Sequence, residues 1–322
     1  MEGSKIEIHL TTPSRLQFGI IDMRGDLGRI HGSVGVAIDH PRLRIKAKEG
    51  SEIKVMGARS DRALEIIQTI IKENNVGSGV SVEILEDIPE HSGFGSGTQL
   101  VLSLGAVLSK LFNLGLKTES TAVRFGRAQR SGIGVHAFKG GGFIVDGGHS
   151  VERLAAVPPQ IFRHEVPSDW LFVVGMPDIT KGYFGEDEKT AFKTIEPPSA
   201  EIVADVARTV LLQMIPSIIE KDIDRFGEAM TKLDTKFGSY WIKIQGGIYS
   251  HPRIEEAVNY LLDNGAIGAG QSSWGPALYG LAHGEAQARK LNEGLAKFLK
   301  ERGGGEAFIT KADNKGAQMS VI

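Results

Sequence analysis

The chain contains no cysteine, which excludes a disulfide framework, thiolate ligation of a metal and a cysteine nucleophile. It has no excess of charge either. Its 37 lysines and arginines stand against 39 aspartates and glutamates for a formal charge of -2, so no chain-wide basic field exists to hold nucleic acid or an anionic membrane. Any anion must be bound locally. The apolar stretch around Trp170–Met176 falls far short of the ~20 residues a bilayer span needs, and the start MEGSKIEIHL has no apolar signal-peptide core. The expectation is a cytoplasmic protein with neither a membrane nor a nucleic-acid partner. A hydrophobic content of 41% with 24% charge is that of a folded chain. What the sequence has in excess is glycine, 41 in 322 residues against an average share of about 7%.

Ile6, Ile8 and Leu10 alternate with polar residues, predicting a strand over residues 5–12. Further strands are expected at Leu16–Ile21, Gly35–Asp39, Leu43–Lys48 and Val80–Leu85. Ala63, Ile66, Ile67, Ile70 and Ile71 recur at helical spacing behind a Ser60–Asp61 cap, and Leu100, Leu104, Val107, Leu108 and Leu111 mark an amphipathic helix just after GFGSGTQ. A helix over Glu119–Arg130 and a strand over Gly142–Asp146 follow. Pro158, Pro159 and Pro167 break both helix and ladder, which divides the chain into 1–163 and 164–322. The second part reads as a buried strand WLFVVGM and helices at about 199–215 (ended by Pro216), 220–237, 251–263 and 285–302. With strands at Ala266–Gly270, Ala277–Ala282 and Ala307–Lys311, the pattern is α+β.

The glycines cluster in three places. Pro89–Gln99, PEHSGFGSGTQ, sits between a strand and an amphipathic helix. Gly93, Gly95 and Gly97 let backbone N–H groups turn toward a ligand, and the helix N-terminus behind them favours phosphate. Ser96 and Thr98 add hydroxyls, though both are also ordinary caps. The loop is neither a Walker motif nor a clean dinucleotide fingerprint. Arg130–Gly142 and Gly268–Pro276 are the second and third clusters, and a shared polyanionic ligand accounts for all three.

The order Pro13-x-Arg15, PEHSGFGSGTQ, GAGQSSWGP resembles the three motifs of the GHMP kinase superfamily, whose second motif usually reads P-x-x-x-G-L-G-S-S-A. The longer strings SRLQFGIIDMRGDLGRIHGSVGVAI, IPEHSGFGSGTQL and RSGIGVHAFKGGGFIVDGG resemble one branch of it, the β-ribofuranosylaminobenzene 5'-phosphate synthases, and the likeness runs from Ser14 over most of the chain. The resemblance implies a ribosomal-S5-like N-terminal domain, a ferredoxin-like C-terminal domain and a site between them. It implies an enzyme that condenses phosphoribosyl pyrophosphate with 4-aminobenzoate, releasing pyrophosphate and CO2, in tetrahydromethanopterin synthesis. Mg2+ as cofactor and a homodimer come with it. An ATP-dependent small-molecule kinase of the same superfamily is the alternative, and a non-catalytic nucleotide-responsive protein a third.

Two positions depart from the kinases. Where a Ser-Gly-x-Asp stretch often carries their base, this chain reads Ser131-Gly132-Ile133-Gly134, and Gly97 replaces the usual second loop serine. A missing base removes a contribution of about 10²–10⁴ in rate from alcohol phosphorylation, but attack by an aromatic carbon needs no alcohol deprotonated. Asp22 closes the apolar run FGII at a glycine-rich turn, as a Mg2+ or ribose ligand or merely a turn cap. Arg15, Arg29 and Arg130 are candidates for phosphate or for the acceptor's carboxylate; Arg124 and Arg127 are read as helix-surface residues. His91 and His136 could donate to phosphate or shuttle a proton. Ser131, Gly270, Gln271 and Ser272 line the second and third clusters, where Trp274 stacks on the ring or anchors a domain contact. No spacing suits a zinc site or a Ser-His-Asp arrangement.

Overall fold

A computed structural model describes residues 6–179 and 195–322. The first sheet is built on a long hairpin of β1 (Glu7–Asp22) and β2 (Arg29–Gly50). Sequence patterning divides this hairpin into shorter strands; the chain instead pairs straight through, absorbing the interruptions as irregularities at Pro13/Ser14 and Gln17/Gly19. A proline lacks the N–H for the ladder, and a bulge is where a strand tolerates that. β3 (Lys54–Gly57) and β4 (Gly79–Glu86) extend the sheet, while β5 (Phe143–Asp146), β6 (His149–Ser150) and β7 (Gln160–His164) continue it from the β2 side. Four helices accompany it: α1 (Ser60–Glu73), α2 (Ser96–Leu111), α3 (Thr118–Arg124) and α4 (Ile133–Gly140).

β8 (Trp170–Pro177), β9 (Gly268–Gln271), β10 (Leu278–His283) and β11 (Gly305–Lys311) form a second, wholly antiparallel sheet in the order β11-β8-β10-β9. Helices separate β8 from β9, and the helix Gly284–Glu301 separates β10 from β11, the split βαβ arrangement expected of a ferredoxin-like unit. The two sheets share one core. Phe18 of β1 lies 5.2 Å from the Tyr279 ring, 6.4 Å from Phe172 and 6.5 Å from Phe226, joining residues far apart in sequence through the aromatic contacts that dominate core energetics. The final strand β12 (Gln318–Val321) returns to pair with β1, so the end of the chain crosses back over the division placed at 163.

Pro216 does not end its helix. After Ala200–Thr209 a π-helical stretch, Val210–Met214, leads into Ile215–Glu220, and the wider π turn just before Pro216 is where the run accommodates a residue that has no N–H to give. The run Ala200–Glu220, with a mean hydropathy of 1.6 in its most apolar part, is long and apolar enough to cross a membrane by length and composition alone, a feature hidden by ending the helix at Pro216. Its Val206, Val210, Met214 and Ile218 are built into the main core.

One buried carboxyl ties a strand, a helix start and a turn together. Asp146, fully buried, accepts N–H bonds from Ser33 at 3.2 Å, Gly132 at 2.8 Å and Gly148 at 2.9 Å. Burial, opposed by these bonds, raises its pKa to about 6. A carboxyl whose folded pKa is raised contributes stability below its unfolded pKa and loses it as pH rises through the folded one. Asp146→Asn, with one acceptor oxygen for three donors, should cost about 1–3 kcal/mol. In urea unfolding the gap between wild type and variant should narrow as pH rises from 4 to 6; a variant equal to wild type at pH 4 would contradict the assignment.

Candidate active site

The Pro89–Gln99 loop lies between β4 and α2, as the sequence suggests. Gly95, at φ 77°, is the N-cap of α2, and its left-handed turn starts the helix at Ser96. The loop is tied to β1: Arg15 N–H donates to Phe94 O at 3.1 Å, and the Arg15 guanidinium donates to Gly93 O. The third cluster closes the other side. Ser272 Oγ donates to Gly93 O at 2.7 Å and accepts from Gln17 N at 3.0 Å, while Ala277 N donates to Ser92 O at 3.2 Å. A Cβ on Gly93, whose φ is 86°, would stand 2.3 Å from Ser272 O. Motifs separated by 255 residues thus meet through hydrogen bonds a few atoms long.

Together they enclose a cleft of about 540 Å³. Arg15, His91, Gly93, Gly95, Ser96, Gly97, Thr98 and Trp274 line it, all candidates from the sequence, joined by Arg59, Arg62, Glu90 and Arg127. Trp274 is nearly buried and meets Trp241 edge-on at 4.6 Å, so it both anchors the domain contact and presents an aromatic surface to the cleft. His91 is exposed at the mouth.

The model matching residues 61–145 is the GHMP kinases N terminal domain, and that matching residues 214–301 is GHMP kinases C terminal. The β-ribofuranosylphenol 5'-phosphate synthase of Archaeoglobus fulgidus is 33% identical over 98% of this chain and all of its own length. The chain belongs to the β-ribofuranosylphenol 5'-phosphate synthase family. The Methanocaldococcus jannaschii member is also 33% identical, over 95% of this chain and 98% of its own. Membership makes the chain an enzyme, a synthase of the ribosyl-transfer kind within the GHMP kinase superfamily. Solved structures share the fold alone: homoserine kinase from Cytophaga hutchinsonii has a TM-score of 0.68 at 14% identity, covering 99% of both chains, and mevalonate pyrophosphate decarboxylase from Streptococcus pyogenes has 0.67 at 13%, covering 96% of this chain and 97% of its own.

Position 134, the last of the Ser131-Gly132-Ile133-Gly134 stretch, is glycine and faces the loop. A Cβ on Gly134 would touch Thr98 Cγ2 at 3.3 Å, so a carboxylate there would adjoin the phosphate loop. The second cluster is largely helix α4 rather than a loop, and its other candidates stay outside the cleft. Ser131 Oγ accepts from Ile133 N at 3.3 Å, and His136, buried, has Nε2 2.8 Å from Pro158 O beside a separate cavity. Desolvation lowers the His136 pKa, keeping the ring neutral. Arg130 does not line the cleft. Arg29 donates to Gly147 O at 2.7 Å and Gly148 O at 2.6 Å, where it holds the turn after β5. Asp22 Oδ1 accepts from Arg24 N at 2.6 Å and Gly25 N at 3.2 Å, the turn-capping role. Gly270 and Gln271 form the floor behind the third loop: a Cβ on Gly270 would meet Asp234 Oδ2 at 2.6 Å, and Gln271 Oε1 accepts from Ser250 N at 2.9 Å. Asp234, wholly buried there, has its pKa pushed well up by desolvation.

Three lining arginines escaped the sequence analysis. Arg59 occupies the cap position of α1 at φ 53°, with its guanidinium clamped by Asp87, and Arg62 lies one turn on. Arg127 is reached because α3 ends at Arg124 and the chain turns at Gly126, φ 65°. That glycine was the available signal. A helix continued to residue 130 hides it.

Proposed function

We propose that this enzyme condenses phosphoribosyl pyrophosphate with 4-aminobenzoate, releasing pyrophosphate and CO2 and leaving the ribose bonded to the ring carbon, a step of tetrahydromethanopterin synthesis. The observation that carries the reading is one cleft holding a phosphate loop, arginines and Trp274, with glycine at the position facing Thr98. The amides of Gly93–Thr98 and the N-terminus of α2 receive the diphosphate, preorganised for the charge that develops as it leaves. Ser96 and Thr98 supply hydroxyl donors, and Arg15 neutralises charge beside the loop. The acceptor ring lies against Trp274, with Arg15, which lines the cleft where Arg29 and Arg130 do not, for its carboxylate.

As the C1–O bond breaks, its electron pair leaves with pyrophosphate. The ring carbon bearing the carboxylate, para to the amine, forms the new C–C bond to C1. The bond to the carboxylate then breaks, CO2 departs, and its electron pair restores aromaticity, so no side-chain base is used. Mg2+, when bound, offsets charge on the leaving diphosphate. Among the described residues no cluster of three metal-ligating side chains exists, which suits an ion held chiefly by substrate oxygens with one carboxylate, and Glu90 is the acidic residue lining the cleft.

The relatives are named for a ribosylated phenol, which makes 4-hydroxybenzoate the competing acceptor, since a hydroxyl is also a para donor. Purified protein should form a C-riboside from phosphoribosyl pyrophosphate and the benzoate, with the two acids in competition fixing the acceptor, and should transfer no phosphate from ATP to a panel of alcohols. ATP turnover lost on Ser96→Ala would overturn the proposal in favour of a kinase.

A further inference from the structure

The two inner glycines of the phosphate loop are each covered by a guanidinium. A Cβ on Gly95 would meet Arg15 Cγ at 3.3 Å and Nε at 3.4 Å; a Cβ on Gly97 would meet Arg127 Nη1 at 2.8 Å and Cζ at 3.1 Å. A side chain at position 97, where the superfamily's motif usually has serine, would therefore displace the Arg127 guanidinium. Nothing in the fold demands a cation there. Arg127 Nε is buried and has no hydrogen-bond partner among the described residues. Its neighbours are like charges, Arg59 and Arg62, which with desolvation lower its pKa, Glu90 alone acting in the other direction. Arg59 is already committed to Asp87, and Arg62 to Glu65 at 2.6 Å. A half-buried cation crowded by cations and lining an open cleft is an arrangement that an anion completes.

We propose that Arg127, seated against Gly97, is a phosphate-binding residue opposite Arg15, and that it takes a phosphate of the donor at the α1 side of the loop. This rests on the donor assignment above. The anion is either the 5'-phosphate or the far phosphate of the diphosphate, and a planar guanidinium can bind either through two parallel bonds.

Calorimetry with pyrophosphate and, separately, ribose 5-phosphate tests it. Arg127→Gln should weaken one of the two by about tenfold or more and leave the other within about threefold. The ligand affected names the phosphate. Gly97→Ser should weaken that same ligand, because the added side chain pushes the flexible guanidinium aside, and the double variant should be no weaker than about threefold below the worse single, the losses being one event. Wild-type affinity for both ligands in Arg127→Gln, or losses that multiply in the double variant, would overturn the proposal. So would equal loss of both ligands with Arg127→Lys restoring neither. If wild-type protein binds neither ligand, the donor assignment itself fails, which is a separable result.

Discussion

Gly95→Val should leave the protein folded and reduce its affinity for phosphoribosyl pyrophosphate by about 100-fold. Gly95 holds φ 77° and ψ 23°, a conformation that costs an L-residue roughly 1–2 kcal/mol and a β-branched one more. Its new methyls would also press on the Arg15 stem, 3.3 Å from the Cβ position. The strained turn relaxes by rotating the loop amides, and Arg15 is displaced from the wall it shares with them. Losing one or two charge-assisted hydrogen bonds of about 1.5–3 kcal/mol each gives an affinity loss of that order. The added methyls meet the flexible Arg15 side chain and not the packed rings of Phe18, Phe172, Phe226 and Tyr279, so the unfolding midpoint should fall only modestly. Gly93 would be the poorer choice, since its Cβ would strike Ser272 O at 2.3 Å and break the seam between the two sheets. Calorimetry beside a urea unfolding curve checks the claim, and a folded variant with unchanged donor affinity would remove the loop from the account.

The phosphate loop was legible because its signals are local: glycine spacing, hydroxyls and an amphipathic helix just behind it. The second half was legible for a similar reason, since helical periodicity and the run WLFVVGM place β8 and the long helices to within a few residues. What could not be read were the consequences of distance. Arg29 and Arg130 lie in family-like strings, yet Arg29 closes a turn against Gly147 and Gly148, a contact across more than a hundred residues. Asp22 accepts from the amides of its own turn. Arg59 and Arg127 became site residues through an αL cap and an early helix stop, which a periodic pattern smooths over. Asp146 looked like the end of a short strand, and its three N–H partners come from strand β2, the start of α4 and the turn after β5.

In the proposed reaction the bond to the carboxylate breaks because C1 has bonded to the carbon that bears it. Protonated ring carbon is not needed, and neither is a side-chain base, which is why glycine at position 134 is compatible with turnover. The cleft needs only to hold the diphosphate as it leaves, to present the ring face to C1, and to let a neutral gas escape. Every turnover must then release both small products, and a donor cleaved without acceptor would signal that water has reached C1. The most direct measurement supplies 4-aminobenzoate labelled at the carboxyl carbon and follows labelled CO2 and pyrophosphate together. Equal amounts of each are expected, with no label in the riboside; a riboside that keeps the label, or pyrophosphate released with formation of an N-riboside, would rule the reaction out.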